Sequence, residues 1–173
     1  NRNLELALQA LFSKTDFIVA PESAIQEEIW EEQLQRSPSL AQLRSFIDQH
    51  PETAIVIGAS TYSMVPKGME KHVAARKFKS FDGRYFAHNT AFYLDASKNI
   101  QLYHKSKLTP GVEMMPSWWW LRPLQNFAID LGGTVGTLKT DTERKVFKHS
   151  DSLFRIAPVI CYESVYGEFV GQY

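Results

Sequence analysis

The chain contains the stretch Thr53-Ala54-Ile55-Val56-Ile57-Gly58-Ala59, in which small and apolar residues follow one another with almost no polar interruption. A strand with this pattern is covered on both faces, because a half-exposed strand would alternate apolar and polar residues. A second β-prone run, Asp16–Ala20, is ended by Pro21. Both runs predict buried strands.

Segments with helical periodicity precede both strands. Leu4, Leu8, Leu11 and Phe12 recur at helical spacing before the first strand, and Leu40, Leu43, Phe46 and Ile47 recur before the second. Ser37 is a suitable cap for the latter helix, and Glu27–Gln35 is also predicted to be helical. Buried strands between amphipathic helices indicate an α/β fold in which helices cover the sheet.

The second half of the chain adds a hairpin and a further strand. Phe86–Tyr103 predicts two strands around the turn-rich segment Asp95–Asn99. The apolar run Leu153–Ile160 predicts a strand that ends at Cys161, and a helix is predicted to begin near Ser164.

Composition excludes several classes of function. The chain has 19 lysines and arginines against 19 aspartates and glutamates, so no net field attracts it to nucleic acid. The basic stretch Thr61–Arg84 is interpreted as a solvated loop. A single cysteine excludes an internal disulfide, and the five histidines have no close metal-ligand spacing. We therefore expect no metal and no nucleic-acid partner.

The ends of the chain suggest a partial domain. The sequence begins without methionine, inside a helical pattern, and stops soon after its cysteine. No apolar stretch approaches the roughly 20 residues that cross a bilayer. We expect residues 1–173 to form one domain excised from a larger protein.

The only cysteine, Cys161, lies where an apolar run ends and a helix is predicted to begin. A free cysteine is commonly a small buried hydrophobe. A thiol at such a turn can instead serve as a nucleophile, provided that a base or a cation stabilises the thiolate.

Two upstream residues supply such groups. Glu22 follows Pro21 at a strand end, where it could cap a helix or, when partly desolvated, move a proton. Lys105 follows the hairpin directly, where it could be a solvated lysine or could stabilise an oxyanion together with backbone amides after Cys161. A carboxylate, an amine and a thiol together favour acyl-transfer chemistry.

Three segments resemble, in their order and their neighbours, the Glu-Lys-Cys triad of the nitrilase (carbon-nitrogen hydrolase) superfamily: Pro21-Glu22, Lys105–Glu113 and Cys161-Tyr162-Glu163. Asn89-Thr90-Ala91 also resembles an asparagine-containing strand of that superfamily. The resemblance implies an α-β-β-α sandwich with Glu22 as general base, Lys105 as oxyanion stabiliser and Cys161 as nucleophile. The superfamily has elements before the first helix and beyond the cysteine, so we expect a sandwich that is truncated at both ends and inactive alone.

Within the superfamily, three details resemble the periplasmic domains of apolipoprotein N-acyltransferases. They are the segment Ala20–Ile25, the segment Tyr162-Glu163-Ser164, and the position of Glu113 eight residues after Lys105. The resemblance implies supporting roles for Glu113, Tyr162 and Glu163, a phospholipid acyl donor, a diacylglyceryl lipoprotein acceptor, and no cofactor. It also implies a location at the bacterial inner membrane, with this domain facing the periplasm and attached to membrane-embedded parts of the protein.

The segment after Lys105 contains candidate lipid-contacting residues. Met114, Met115, Trp118 and Trp119 have side chains that suit a membrane interface and adapt to acyl chains. They are interpreted as a lid over a lipid entry, although they could equally pack on the sandwich beside the helix predicted at Leu121–Leu131.

Three alternatives remain open at the level of sequence. A soluble amidase or nitrile hydrolase could use the same triad, with water in place of the amine. A cysteine-histidine hydrolase could use His88 or His104 as the base. A nitrilase-like domain without catalytic activity could serve in assembly or binding.

Overall fold

The computed structural model describes residues 5, 6, 9, 15–110, 113, 137–150 and 154–173, and its main feature is a six-stranded mixed sheet. The strands of this sheet are β1 (Phe17–Val19), β2 (Ile25–Trp30), β3 (Ala54–Met64), β4 (Arg76–Lys77), β5 (Arg84–Leu94) and β6 (Gln101–His104). A second sheet contains the antiparallel strands β7 (Phe147–Lys148) and β8 (Arg155–Ile156).

The helices are few and mostly short among the described residues. They are α1 (Pro38–Gln49), α2 (Gly167–Val170) and two 3-10 helices, Glu31–Arg36 and Cys161–Val165, besides the described helical residues Glu5, Leu6 and Gln9. The side chain of Ser37 accepts a hydrogen bond from the Leu40 N–H at 3.1 Å, which confirms its predicted capping role at α1.

The centre of the main sheet is the antiparallel pair of β3 and β5, which are in register from Ile55 opposite Leu94 to Met64 opposite Tyr85. The free edge of β3 is shared by β1 and β2, which both run parallel to it and lie end to end. The free edge of β5 is shared in the same way by β6 and β4. The sheet is therefore four strands wide, with an interruption along each outer edge.

Helix α1 covers one face of this sheet. Its buried side chains are Leu40, Leu43, Phe46 and Ile47, and the sheet contributes Ile25, Ile29, Ile55, Ile57, Phe92 and Leu94 to the same core. Removal of this apolar surface from water is the main stabilisation of the layer, at about 25 cal/mol per Å².

The other face is covered by the C-terminal part of the described chain. Ala54, Ala91, Tyr93 and Tyr103 of the sheet pack against Phe147, Ile160 and Phe169. Both faces of β3 are thus covered, which confirms the α/β prediction made from its unbroken apolar sequence.

The predicted strand at Thr53–Ala59 and the predicted hairpin at Phe86–Tyr103 are confirmed. Strand β3 is longer than predicted, because Ser60–Met64 continue the pairing with β5. The predicted solvated loop at Thr61–Arg84 is therefore wrong at both of its ends, and it also contains β4.

The helix predicted at Glu27–Gln35 is wrong in its first half, which belongs to β2, while its second half lies in the 3-10 helix Glu31–Arg36. The pairing of β2 with β3 shifts between Ile25 and Ile29. Ile25 and Ile29 are both buried four positions apart, a spacing that lies on one face of a strand as well as on one face of a helix.

The predicted strand before Cys161 is reduced to the two residues of β8, and Ala157–Ile160 continue without regular structure. The helix predicted near Ser164 begins earlier, as a 3-10 helix at Cys161, and α2 adds a single turn.

Several predictions concern residues outside the described ranges. They are the helix at Leu4, Leu8, Leu11 and Phe12, the lid candidates Met114, Met115, Trp118 and Trp119, and the helix at Leu121–Leu131. Within the described ranges, no helix combines the length and the apolar content needed to cross a bilayer.

Gly58 of β3 lies against the turn that joins β1 to β2. A Cβ atom at this position would lie 2.7 Å from the Glu22 Cα and 2.9 Å from the Pro21 carbonyl oxygen. The Gly58 N–H also donates a hydrogen bond to that oxygen at 3.3 Å. A glycine is therefore required for the turn to approach the sheet this closely.

We expect Gly58→Ala to reduce the free energy of unfolding by about 1–3 kcal/mol, because backbone atoms rather than flexible side chains must move away from the added methyl group. Gly167→Ala is the matched control, since nothing lies within 4 Å of a Cβ atom there. Urea unfolding of both variants measures the effect. Equal stabilities would show that the turn at Glu22 yields without cost.

Candidate active site

Glu22 lies in the interruption between β1 and β2, at the edge of β3. The following residue, Ser23, has a φ of 55°, so the chain turns sharply here. The side chain of Glu22 is 31% exposed, and its Oε1 accepts hydrogen bonds from the Asn89 amide and from the Lys105 ammonium at 3.4 Å. The turn thus presents a half-buried carboxylate to the middle of the sheet.

Lys105 follows β6, and its backbone N–H donates to the carbonyl of Asn89 at 2.8 Å. Its side chain is 1% exposed, so the solvated-lysine interpretation is wrong. Burial opposes the charged form, but the hydrogen bond and the charge of Glu113, with the charges of Glu22 and Cys161, outweigh it and raise the pKa of Lys105. Lys105 is a fixed, buried ammonium group.

Glu113 is the second carboxylate at this ammonium group, with an Oε–Nζ distance of 2.9 Å. It also accepts hydrogen bonds from the Asn89 amide at 3.2 Å and from the Thr109 N–H at 2.7 Å. Burial favours its neutral form, but the hydrogen bonds from Lys105 and Thr109 and the charge of Lys105 lower the pKa of Glu113. The Lys105 charge is therefore compensated inside the protein.

Cys161 begins a 3-10 helix and has a φ of 48°, which is a left-handed conformation that is rare for residues other than glycine. The residue is exposed, so it is not the buried hydrophobe that a lone cysteine often is. A strained turn that presents the side chain outward is typical of nucleophiles that must reach a substrate.

A cavity of about 290 Å³ lies between Glu22 and Cys161, and Glu22, Asn89, Thr90 and Cys161 contribute its polar wall. Most of the remaining wall is apolar, including Val19, Val56, Ala91, Ile156, Val159 and Ile160. A molecule in the cavity would therefore contact the thiol and the Glu22 carboxylate within a mainly apolar environment.

The carboxylate of Glu163, which is 0% exposed, joins two segments of the chain. One contains Cys161 (residues 160–163, the cysteine segment), and the other is the segment after β6 (residues 105–107). It accepts hydrogen bonds from the Tyr103 hydroxyl at 2.6 Å and from the backbone N–H groups of Ser106 at 2.6 Å, Lys107 at 3.3 Å and Ile160 at 2.8 Å. Because a buried carboxylate is stable only with such donors, these contacts fix where Cys161 lies relative to Lys105.

A second polar cluster, the histidine cluster, consists of Glu31, His88, His104 and Asp141. The His104 ring contacts Glu31 through Nε2 at 2.7 Å and Asp141 through Nδ1 at 3.1 Å. His88 stacks on His104 with 4.0 Å between ring centroids and an interplanar angle of 22°.

The two histidines of this cluster have opposite pKa shifts. Burial disfavours the charged His104 ring, but its hydrogen bonds to Asp141 and Glu31 outweigh this effect and raise the pKa of His104 to about 9. Burial and the nearby His104 charge lower the pKa of His88 to about 4. Near neutral pH the cluster therefore contains one imidazolium and one neutral imidazole.

Glu31, His88 and His104 bring potential ligand atoms within 4.8 Å of one another, although their sequence spacing gave no metal signal. A metal ion lies in the plane of each imidazole that binds it, and two stacked rings have nearly parallel planes that do not meet at one ion. The nitrogens of His88 are also hydrogen-bonded, to Ser63 at 2.8 Å and to the Lys139 carbonyl at 3.1 Å. We assign no metal to this cluster.

Of the site residues chosen from the sequence, the structure links Glu22, Lys105 and Glu113 by hydrogen bonds and places Cys161 at the same cavity as Glu22. Glu163 is the structural link described above. Tyr162 instead packs edge-to-face against Tyr166, with 5.5 Å between ring centroids.

The structure gives a role to a residue that the sequence analysis named only through a resemblance. Asn89 donates to both Glu22 and Glu113 from the middle of β5. The ring nitrogens of His88 are hydrogen-bonded to Ser63 and the Lys139 carbonyl, and those of His104 to Asp141 and Glu31, which disfavours either histidine as the base for Cys161.

Comparison with known proteins gives the family. The family model for carbon-nitrogen hydrolases matches residues 1–172. The chain belongs to the carbon-nitrogen hydrolase family. Members of this superfamily are generally enzymes, and the match supports both the resemblance seen in the sequence and the nitrilase-like fold. A search of curated proteins found no match.

Two solved structures resemble this member of the carbon-nitrogen hydrolase family. XC1258 from Xanthomonas campestris, described as a CN-hydrolase superfamily protein with an arsenic adduct in the active site, matches 97% of the chain with a TM-score of 0.53 and 14% identity. The match covers 49% of XC1258, so the chain spans about half of its length. Glutamine-dependent NAD⁺ synthetase from Acinetobacter baumannii matches 99% of the chain and 25% of its own, with a TM-score of 0.44 and 13% identity.

We expect Glu163→Gln to lower the free energy of unfolding by about 1.5–3 kcal/mol, since an amide group cannot accept from all four donors at once. Alkylation of Cys161 should change with it, because the same contacts fix the cysteine segment. Glu168→Gln is the control, as Glu168 is exposed on α2. Urea unfolding and the rate of Cys161 alkylation measure both effects. An unchanged stability would contradict the role of Glu163.

We expect the histidine cluster to make stability depend on pH. The pKa of His104 is raised from 6.5 to about 9, so its stabilisation is fully present below pH 6.5 and is lost as the pH rises through about 9. The loss should be about 1–3 kcal/mol. Urea unfolding between pH 6 and pH 10 measures it against His104→Gln.

In the double variant Glu31→Gln/Asp141→Asn, this alkaline loss of stability should be much smaller, because the carboxylates that raise the pKa of His104 are gone. An unchanged alkaline loss in that variant would assign the effect to other groups.

Proposed function

We propose that this protein is an apolipoprotein N-acyltransferase. It would transfer an acyl chain from a membrane phospholipid to Cys161, and then to the N-terminal amine of a diacylglyceryl-cysteine lipoprotein. The observation that carries this proposal is the mainly apolar cavity beside Cys161 and Glu22. An acyl chain suits such a wall, whereas a small amide would require more polar contacts for specificity.

The first half-reaction begins with the thiol of Cys161. Glu22 accepts the thiol proton, and the sulfur attacks the ester carbonyl carbon of the phospholipid, forming a C–S bond. The oxyanion of the tetrahedral intermediate is stabilised by the Lys105 ammonium group. The C–O bond then breaks, Glu22 returns the proton to the leaving oxygen, and a lysophospholipid departs.

The second half-reaction releases the acyl chain to the acceptor. The amine of the lipoprotein attacks the thioester carbonyl, forming a C–N bond, and Glu22 accepts the proton that the amine loses. Lys105 again stabilises the oxyanion, the C–S bond breaks, and the proton on Glu22 restores the thiol of Cys161.

The surrounding contacts support these roles. Glu113 and Glu22 compensate the charge of Lys105, so the ammonium group persists through both half-reactions. Asn89 donates to both carboxylates and orients them. The proposal also assigns the protein to the bacterial inner membrane, with this domain in the periplasm and with phospholipid and lipoprotein as its partners.

The test is the intact mass of the full-length protein in detergent after incubation with a defined phospholipid. We expect a mass gain of one acyl chain that Cys161→Ala abolishes and Glu22→Gln slows by about 100-fold or more, since general-base catalysis contributes about that factor. Glu168→Gln, on the exposed face of α2, is the matched control and should acylate normally.

Acylation of Cys161→Ala would remove the thiol from the mechanism. Hydrolysis of small amides without any mass gain would favour the soluble amidase. A Cys161 thiol that fails to react even with iodoacetamide would favour a binding domain without catalytic activity.

A further inference from the structure

We propose that His104 is the residue that positions Lys105, because Glu31 and Asp141 hold it on the sheet face opposite the candidate active site. The inference rests on the part of the proposed function that gives Lys105 its charge-stabilising role. It does not depend on which acyl donor or acceptor the enzyme uses.

His104 is the last residue of β6, and Lys105 continues the pairing with β5 by one residue, so their side chains point to opposite faces of the sheet. The Lys105 N–H donates to the Asn89 carbonyl. On the C-terminal side of Lys105, Glu163 holds the backbone by accepting from the Ser106 and Lys107 N–H groups. On the N-terminal side, the position of Lys105 depends on what holds His104.

Three separate segments hold His104. Glu31 belongs to the 3-10 helix after β2 and contacts Nε2 at 2.7 Å. Asp141 contacts Nδ1 at 3.1 Å through Oδ1, and its Oδ2 accepts from the His104 backbone N–H at 3.4 Å. The ring stacks on His88 of β5. Both the ring and the backbone of His104 are thus fixed.

Glu31 is itself tied to the centre of the sheet. The Thr61 hydroxyl of β3 contacts its carboxylate at 2.6 Å, and the hydroxyls of Thr61 and Thr90 lie 2.6 Å apart. Because Thr90 is paired with His104 across β5 and β6, the contacts form a connected set from the 3-10 helix after β2 to β6. His104 therefore cannot move, and so cannot displace Lys105, without breaking contacts of this set.

The charges in the cluster favour a single arrangement. The groups that face His104 are Glu31, Asp141 and His88, and Asp141 also pairs with Lys145 at 2.9 Å. An imidazolium donates from both nitrogens and can satisfy two carboxylates, whereas a neutral ring can donate to only one. His88 is neutral, so the stacked pair carries one charge.

The experiment measures the reactivity of Cys161 toward iodoacetamide in the full-length protein, with peptide mass spectrometry to locate the label. Lys105 donates to the Glu22 carboxylate, which lines the same cavity as Cys161 and is its proposed base, so loss of the ammonium group should slow the reaction of the thiol. Lys105→Met therefore gives the rate without the ammonium group. We expect His104→Gln to lower the rate by about 3- to 10-fold, toward that limit.

His149→Gln is the matched control. Its ring contacts the Asp95 carboxylate at 3.1 Å and the Tyr93 hydroxyl at 2.8 Å, and its side chain is 14% exposed, against 15% for His104. The His149→Gln substitution therefore removes a similar interaction near the other end of β5. We expect this variant to alkylate at the normal rate even where its stability falls as much as that of His104→Gln.

A double-variant cycle separates positioning from general damage. In the Lys105→Met background, His104→Gln should change the alkylation rate less than about twofold, because its effect acts through Lys105. In acyl transfer by the single variant, kcat should fall while KM stays unchanged.

Additive losses in the cycle, or an equal loss in His149→Gln, would overturn the inference. Normal alkylation of His104→Gln would also overturn it. None of these results depends on phospholipid, so failure of the acyltransferase proposal would appear separately, as the absence of an acyl mass gain in the wild-type protein.

Discussion

The buried carboxylate of Glu163 is the interaction on which the arrangement of the site depends. The cysteine segment and the segment after β6 are far apart in sequence, and Glu163 is hydrogen-bonded to both. A carboxylate without exposure is costly unless donors surround it, so the fold is stable only when both segments are in place. Correct assembly of the core and correct placement of Cys161 are thus one requirement.

The charges near the cavity are divided between the two faces of the sheet. On one face, Glu22, Glu113 and Asn89 surround the ammonium group of Lys105. On the other, two carboxylates surround the imidazolium of His104. Each buried cation is compensated locally, which lets adjacent residues of one chain carry charge in a partly dehydrated region.

Sequence reasoning succeeded where the determining signal was local or carried by a motif. The apolar run of β3 and the turn at Asp95–Asn99 identified the sheet, and the Glu-Lys-Cys order identified the family. It failed at β2, because Ile25 and Ile29, four positions apart, share one face in a strand as they would in a helix.

The histidine cluster could not be predicted for a different reason. Its members Glu31, His104 and Asp141 are widely separated in sequence, and their meeting depends on how strand edges are shared in the folded sheet. The spacing of these residues along the chain therefore gives no signal of the histidine cluster.

The pairing of β3 with β5 sets the distance between the charged residues of the site. Glu22 is located by its contact with Gly58, and Lys105 by its bond to Asn89, which is opposite Ser60. The distance between the Glu22 carboxylate and the Lys105 ammonium group therefore depends on the number of residues between these two positions along the strands. The connection between β3 and β5 can change in length during evolution without altering that number. A single residue inserted between Gly58 and Ser60 would instead shift the pairing by about 3.4 Å and move the following side chains to the opposite face of the sheet.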